Sequence, residues 1–148
     1  MDRRVHLGIL AASIVFCASA DASPPGQDTN PCARMNYEHK NMIDPHPLRV
    51  SKVQGFVKDI ENFSVSAGCV GVFSKDQSKL IAAVQIRSDG SFDLLGIPTG
   101  NYWLVVTVER FCPANNQIIV AGHSLRKRKL LAIMRPTGID ACSWMQLK

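Results

Sequence analysis

The sequence predicts an all-β protein: a roughly seven-stranded Greek-key β-sandwich behind an irregular N-terminal segment. Short runs rich in β-branched and aromatic residues recur at spacings of about 8–12 residues, which is the rhythm of a sandwich. Turn chemistry separates them, at Asp89-Gly90 and at Ile97-Pro98-Thr99-Gly100. Residues 102–108, Tyr-Trp-Leu-Val-Val-Thr-Val, form the densest such run and are the best candidate for a central strand. No long amphipathic helix pattern competes with this reading.

The start of the 148-residue chain reads as an export signal. Arg3 and Arg4 form a basic start, residues 7–17 are largely apolar, and Ala18-Ser19-Ala20 is an A-x-A cleavage site. The apolar run falls short of the roughly 20 residues a bilayer span requires, so stable membrane insertion is not expected after cleavage. Cleavage at Ala20 or at Ala22 remains open. Arg3-Arg4 is a weak match to a twin-arginine signal. Phe16 stands before Cys17 where a lipoprotein signal has a small residue, which makes lipidation at Cys17 the lesser reading. Without residues 1–20, 128 residues remain (148 − 20), enough for one domain and too few for two ordinary ones. The formal charge of +5 falls to +4 when Asp2, Arg3 and Arg4 leave. Such a mild excess on an exported chain gives no ground for a nucleic-acid partner.

Cys17 departs with the signal and leaves Cys32, Cys69, Cys112 and Cys142, an even set in an exported chain. Two disulfides are expected, with three connectivities open. The preferred pairing is Cys69 with Cys112, tying a strand to the loop after another, and Cys32 with Cys142, tying the N-terminal segment to the tail. Structural zinc is disfavoured because close CxxC pairs are absent.

In chain order, residues 21–47 form a flexible leader and irregular segment, Pro-, Gly- and Asp-rich at first and ending in Asp44-Pro45-His46-Pro47. The sandwich proper spans residues 48–136. Its first strand carries Val50, Val53, Phe56 and Val57, with Gly55 as a bulge or a site of close approach. A second strand covers 65–73, where Gly68 and Gly71 need a backbone or ring packed against them. Val70/Val72 and Cys69/Phe73 are both apolar sets, so both faces of that strand are expected to be covered. Residues 80–86 and 91–95 flank Asp89-Gly90 as a hairpin. Phe111-Cys112-Pro113 breaks the chain after 102–108, residues 117–120 form a short strand, and 125–134 the last one, stopped by Pro136. Residues 137–148 are a C-terminal tail, tied by a disulfide and stapled by Trp144.

Several of these residues together resemble the carboxypeptidase regulatory-like family of transthyretin-like sandwiches. The resemblance covers about residues 53–136. Gly55-Phe56-Val57-Lys58-Asp59 is similar to its opening Gly-x-Val-x-Asp strand, and Ala67-Gly68-Cys69-Val70 to its second strand. Asp89-Gly90-Ser91-Phe92 and Pro98-Thr99-Gly100-Asn101-Tyr102 resemble its most specific turns, and Phe111-Cys112-Pro113 a later Phe-x-Pro piece. Residues 61–65 lack the usual Gly-x-Pro, and Arg110 stands where a glycine often precedes the Phe. The resemblance implies a bacterial accessory, stabilising or binding module, here with no catalytic domain attached.

Chemistry is sparse. The mature chain has only His39, His46 and His123. No nucleophile–base set can be assembled, no His has a Glu three positions on, and the Tyr-Arg-Gly-Ser ending of the fold's hydroxyisourate-cleaving relatives is absent. No catalytic residue, cofactor or metal is therefore assigned, and the chain is expected not to be an enzyme. His39, Asp44 and His46 lie close in sequence but fit no recurring ligand spacing. Residues 130–135 contain no Asn or Asp, which argues against an internal isopeptide bond. Arg126-Lys127-Arg128-Lys129 is the one charge run, read first as a solvated hairpin edge. The expected function is an exported, non-enzymatic binding or structural module whose partner is a protein or a surface glycan. A carbohydrate-binding module is the alternative, if Tyr102, Trp103 or Trp144 lies exposed on one rim, and a small hydrolase or metal-dependent enzyme the more distant one.

Overall fold

Period-two alternation sets the layers of this protein. Val53, Gly55 and Val57 are buried while Gln54, Phe56 and Lys58 between them are only partly so, because successive strand side chains point to opposite faces. The structure, a computed structural model, describes residues 30–35, 46–122, 128–138 and 142–148. Among the described residues are nine strands and no helix: β1 Leu48–Val50, β2 Val53–Asp59, β3 Cys69–Phe73, β4 Leu80–Gln85, β5 Ser91–Leu94, β6 Gly100–Thr107, β7 Ala114–Val120, β8 Leu130–Met134 and β9 Trp144–Leu147.

They form two sheets, one in the order β1-β7-β6-β3-β4 and the other β5-β2-β8-β9. The all-β sandwich expected from the sequence is the fold observed, with β6 in the middle of the five-stranded sheet. Val57, Val70, Leu104, Ile118, Leu130 and Met134 fill the space between the sheets with essentially no exposure. Full burial of such side chains contributes about 1.5–3 kcal/mol each.

The expected first strand is two strands. β1 pairs in parallel with β7, and after Ser51-Lys52 the chain crosses to the other sheet, where β2 pairs in parallel with β8. Gly55 is the close approach anticipated there: a Cβ on it would lie 2.0 Å from the Leu130 carbonyl oxygen. The second strand is shorter than 65–73, and its two faces are both covered. Val70 and Val72 enter the main core. Phe73 joins Trp103 and Val105 in a small cluster on the outer face, where Met35 packs.

Asp89-Gly90 makes the turn expected of it but not the hairpin. Gly90 has φ of +80° and its N–H donates to the Arg87 carbonyl at 2.9 Å. However, β4 pairs with β3 and β5 with β2, so the turn carries the chain from one sheet to the other. The Gly90 carbonyl accepts from Val57 N–H at 2.8 Å, which docks the turn on β2 and ends the local ladder. β7 begins at Ala114, earlier than expected, and β8 at Leu130, later. The tail adds a strand: β9 pairs antiparallel with β8, placing Met145 in the core and Trp144 outside. It is Met145, therefore, that anchors the tail.

The preferred disulfide pairings are corrected as well. Cys32 is bonded to Cys69, across a sequence separation of 37, while Cys112 and Cys142 are thiols. Cys69 is on the outer side of β3, and residues 30–35 cross that face: Asn30 Nδ2 donates to the Ala83 carbonyl at 2.9 Å, and Met35 lies against Gly71 and Phe73. Cys112 is held elsewhere, in the β6–β7 connection, where its N–H donates to the Arg135 carbonyl. Closing a loop of this size contributes about 4 kcal/mol in the chain-entropy account of disulfides.

Candidate functional site

The outer face of the four-stranded sheet gathers the side chains that the core does not use. Rungs of the ladder define it. Phe56 is in register with Leu131 and with Ser91, and Leu131 with Gln146. One rung on, Lys58 is opposite Ile133 and Ile133 opposite Trp144. Since in-register residues share a face, Phe56, Leu131, Ile133 and Trp144 form an apolar diagonal across three strands. Leu131 is only 8% exposed, whereas Trp144 is 39% exposed at the edge.

Cations flank this diagonal. The Lys129 Nζ lies 5.0 Å from the Phe56 ring centroid, and the Arg135 guanidinium carbon lies 5.0 Å from that of Trp144. Each pairing sets a positive charge against the negative face of a ring. Lys58 Nζ donates to Asn62 Oδ1 at 2.7 Å, which ties it to the loop after β2. Below Phe56 the face continues into a shallow groove lined by Gln54, Arg87, Asp89, Asp93 and Lys129. Arg87 Nη1 donates to Ser91 Oγ at 3.3 Å, and Ser91 N–H donates to Asp89 Oδ1 at 2.9 Å. The Ser91 hydroxyl and then its N–H hold the Asp89 carboxyl below the usual carboxylate range. Asp93 Oδ1 is buried with no hydrogen-bond partner.

The aromatic residues singled out in the sequence separate. Trp103 is 3% exposed, and its Nε1 donates to the Lys75 carbonyl at 3.2 Å. Tyr102 packs against the main core. Trp144 alone of the three is classed as exposed. His46 is exposed; His39, Asp44, His123, Arg126, Lys127 and residues 1–20 lie outside the described residues. Among the described residues no three His, Cys, Asp or Glu side chains converge as a metal site, and no helix is long and apolar enough to cross a membrane. The Cys32–Cys69 bond is compatible with an extracellular protein.

Phe56, Leu131, Ile133 and Arg135 were not read from the sequence as candidate binding residues. Alternation in Gln54-Phe56-Lys58 carried part of the signal. Residues 130–134 are apolar on both faces, so their outward set had no distinguishing mark.

No family model matches the chain, and no curated protein matches it in sequence. Its class is defined by fold and face: a two-sheet β-sandwich with an aromatic and cationic outer surface.

Proposed function

We propose that this chain is an exported, non-enzymatic binding module of the carboxypeptidase regulatory-like type, which docks an acidic protein surface on the outer face of β5-β2-β8-β9. One observation carries the reading: Trp144 and Phe56 stand on a single sheet face, each with a cation over its ring. Tryptophan and arginine side by side, with apolar neighbours, are the side chains that most often anchor protein interfaces. Arg135 and Lys129 add a charge that selects an acidic partner and speeds its encounter. Arg128 and Lys129, both exposed and immediately before β8, add charge of the same sign. The signal-like residues 1–20 and the Cys32–Cys69 bond support a periplasmic or cell-surface setting.

Exposure of Trp144 favours a second reading, a carbohydrate-binding module. A sugar platform requires a bare ring face, and here Arg135 stands over the indole. The protein-docking reading therefore leads.

The test is photo-crosslinking in bacterial cells that export the protein. A photoreactive residue replaces Gln146 on the proposed face, or Gln117 on the outer side of β7, both exposed. Discrete protein adducts from position 146 that vanish with Trp144→Ala and are missing from position 117 are the expected result. Identical adducts from both positions, or adducts indifferent to Trp144→Ala, would refute this face. Adducts that disappear on glycosidase treatment would favour the carbohydrate reading.

A further inference from the structure

Three chain segments meet at one end of the four-stranded sheet. The β6–β7 connection approaches the residues after β8: Cys112 N–H donates to the Arg135 carbonyl at 2.8 Å, Thr137 N–H donates to the Arg110 carbonyl at 2.9 Å, and Phe111 bridges to Pro136. Ser143, just before β9, joins both. Its Oγ donates to the Cys112 carbonyl at 2.5 Å and accepts from Arg135 N–H at 2.8 Å, and the residue is 8% exposed. A buried hydroxyl with both roles filled holds its neighbours in place. The neighbour of Ser143 is Cys142, whose thiol is hydrogen-bonded to that of Cys112. Two half-buried thiols 30 positions apart (142 − 112) are thus kept in contact by hydrogen-bonded backbone on both sides.

We propose that Cys112 and Cys142 form a second disulfide, closed by exchange with a disulfide donor and opened by a dithiol, that fastens β9 to the β6–β7 connection. One cysteine loses its proton and attacks a sulfur of the donor. The donor's S–S bond breaks, one donor sulfur leaves and takes up a proton, and a mixed disulfide forms. The second cysteine then loses its proton and attacks the protein sulfur of that mixed disulfide, releasing the other donor sulfur as a thiol. Two S–H bonds become one S–S bond, and the donor gains the two electrons and two protons. The backbone contacts on both sides are already made, so the two thiols begin the reaction side by side. The bond would hold the strand that carries Trp144, and it stands whether or not that face binds a partner. It is separate from Cys32–Cys69, joining the β6–β7 connection to the residues just before β9.

The probe is oxidised glutathione applied to the mature chain with Cys32–Cys69 intact, followed by acid quench, alkylation and peptide mapping. The expected product is a linked peptide pair containing Cys112 and Cys142, with a mass lower by two hydrogens and an unchanged Cys32–Cys69 pair. Amide exchange in β9 should slow by about tenfold on closure, since opening of that strand becomes a larger event. The Cys112→Ser/Cys142→Ser double variant, folded by circular dichroism, should show β9 exchange that glutathione disulfide does not alter. Stable glutathione adducts on Cys112 or Cys142, a Cys69–Cys112 crosslink, or an intermolecular dimer would overturn the proposal. So would β9 exchange that is the same in the oxidised and reduced wild-type chain.

Discussion

Arg135 lies over the indole of Trp144, its guanidinium carbon 5.0 Å from the ring centroid, where β8 ends and β9 begins. Arg135 directly follows β8 and Trp144 opens β9, and their meeting depends on the β8–β9 ladder that sets Ile133 opposite Trp144.

A cation over a partly exposed ring is expected to couple the two side chains by about 0.5–1 kcal/mol. A double-mutant cycle on Arg135→Ala and Trp144→Ala, read by urea unfolding, should give that interaction energy. Strict additivity of the two single losses would mean that the stacking of Arg135 on Trp144 carries no energy.

Asn116 sits on the inward side of β7, in register with Leu104, and is 1% exposed. Neither its Oδ1 nor its Nδ2 has a hydrogen-bond partner in the protein. A carboxamide left in this state costs about 1–3 kcal/mol. Asn116→Leu, close in size, should raise stability by about 1–2 kcal/mol in denaturant unfolding. A drop in stability instead would mean that bound water satisfies the amide.

Gly55 leaves no room for a side chain. A Cβ there would be 2.0 Å from the Leu130 carbonyl oxygen and 2.7 Å from its carbon, both backbone atoms of the paired strand. Gly55→Ala should force β2 and β8 apart and destabilise the protein by about 3 kcal/mol or more. Thermal unfolding measures this directly, and an unchanged midpoint would contradict the parallel β2–β8 register.

Donation of the Cys142 S–H to the Cys112 sulfur, followed by partial burial, pushes the Cys142 thiol above its usual range. A raised folded-state value means that the neutral thiol favours folding. The contribution is complete below the ordinary thiol range and disappears as pH rises through the higher value. The reduced chain should therefore lose stability at alkaline pH, and iodoacetamide should modify Cys142 in the folded chain at a higher pH than in urea. Equal pH profiles in the two states would show that the thiol pair is not in contact.

Much of the fold was legible because turns and strand runs depend on local chemistry. Gly100 begins β6, although β5 already ends at Leu94, ahead of Pro98, and most of residues 102–108 lie in the central strand because β-branched and aromatic side chains suit a pleated surface covered on both sides. Arg110 illustrates a subtler signal. It occupies the place where the resembled family often has glycine, and its φ of +67° is in the left-handed region that glycine favours.

What resisted reading was partnership across distance. Asp89-Gly90 announces a turn, but only the docking of Gly90 on Val57 decides that the chain changes sheets there. Four cysteines announce bridges, but proximity between Cys32 and Cys69 arises from residues 30–35 crossing the outer face of β3. Trp144 was expected to hold the tail down. The β8–β9 register turned it outward and placed Met145 in the core, since a strand presents neighbouring residues to opposite faces. By itself, then, the sequence determined the all-β class, the main turns and the central strand, all properties of neighbouring residues. Tertiary structure alone decided which strands share a sheet, which sulfurs meet and which side of each strand faces out, because those depend on groups far apart in the chain.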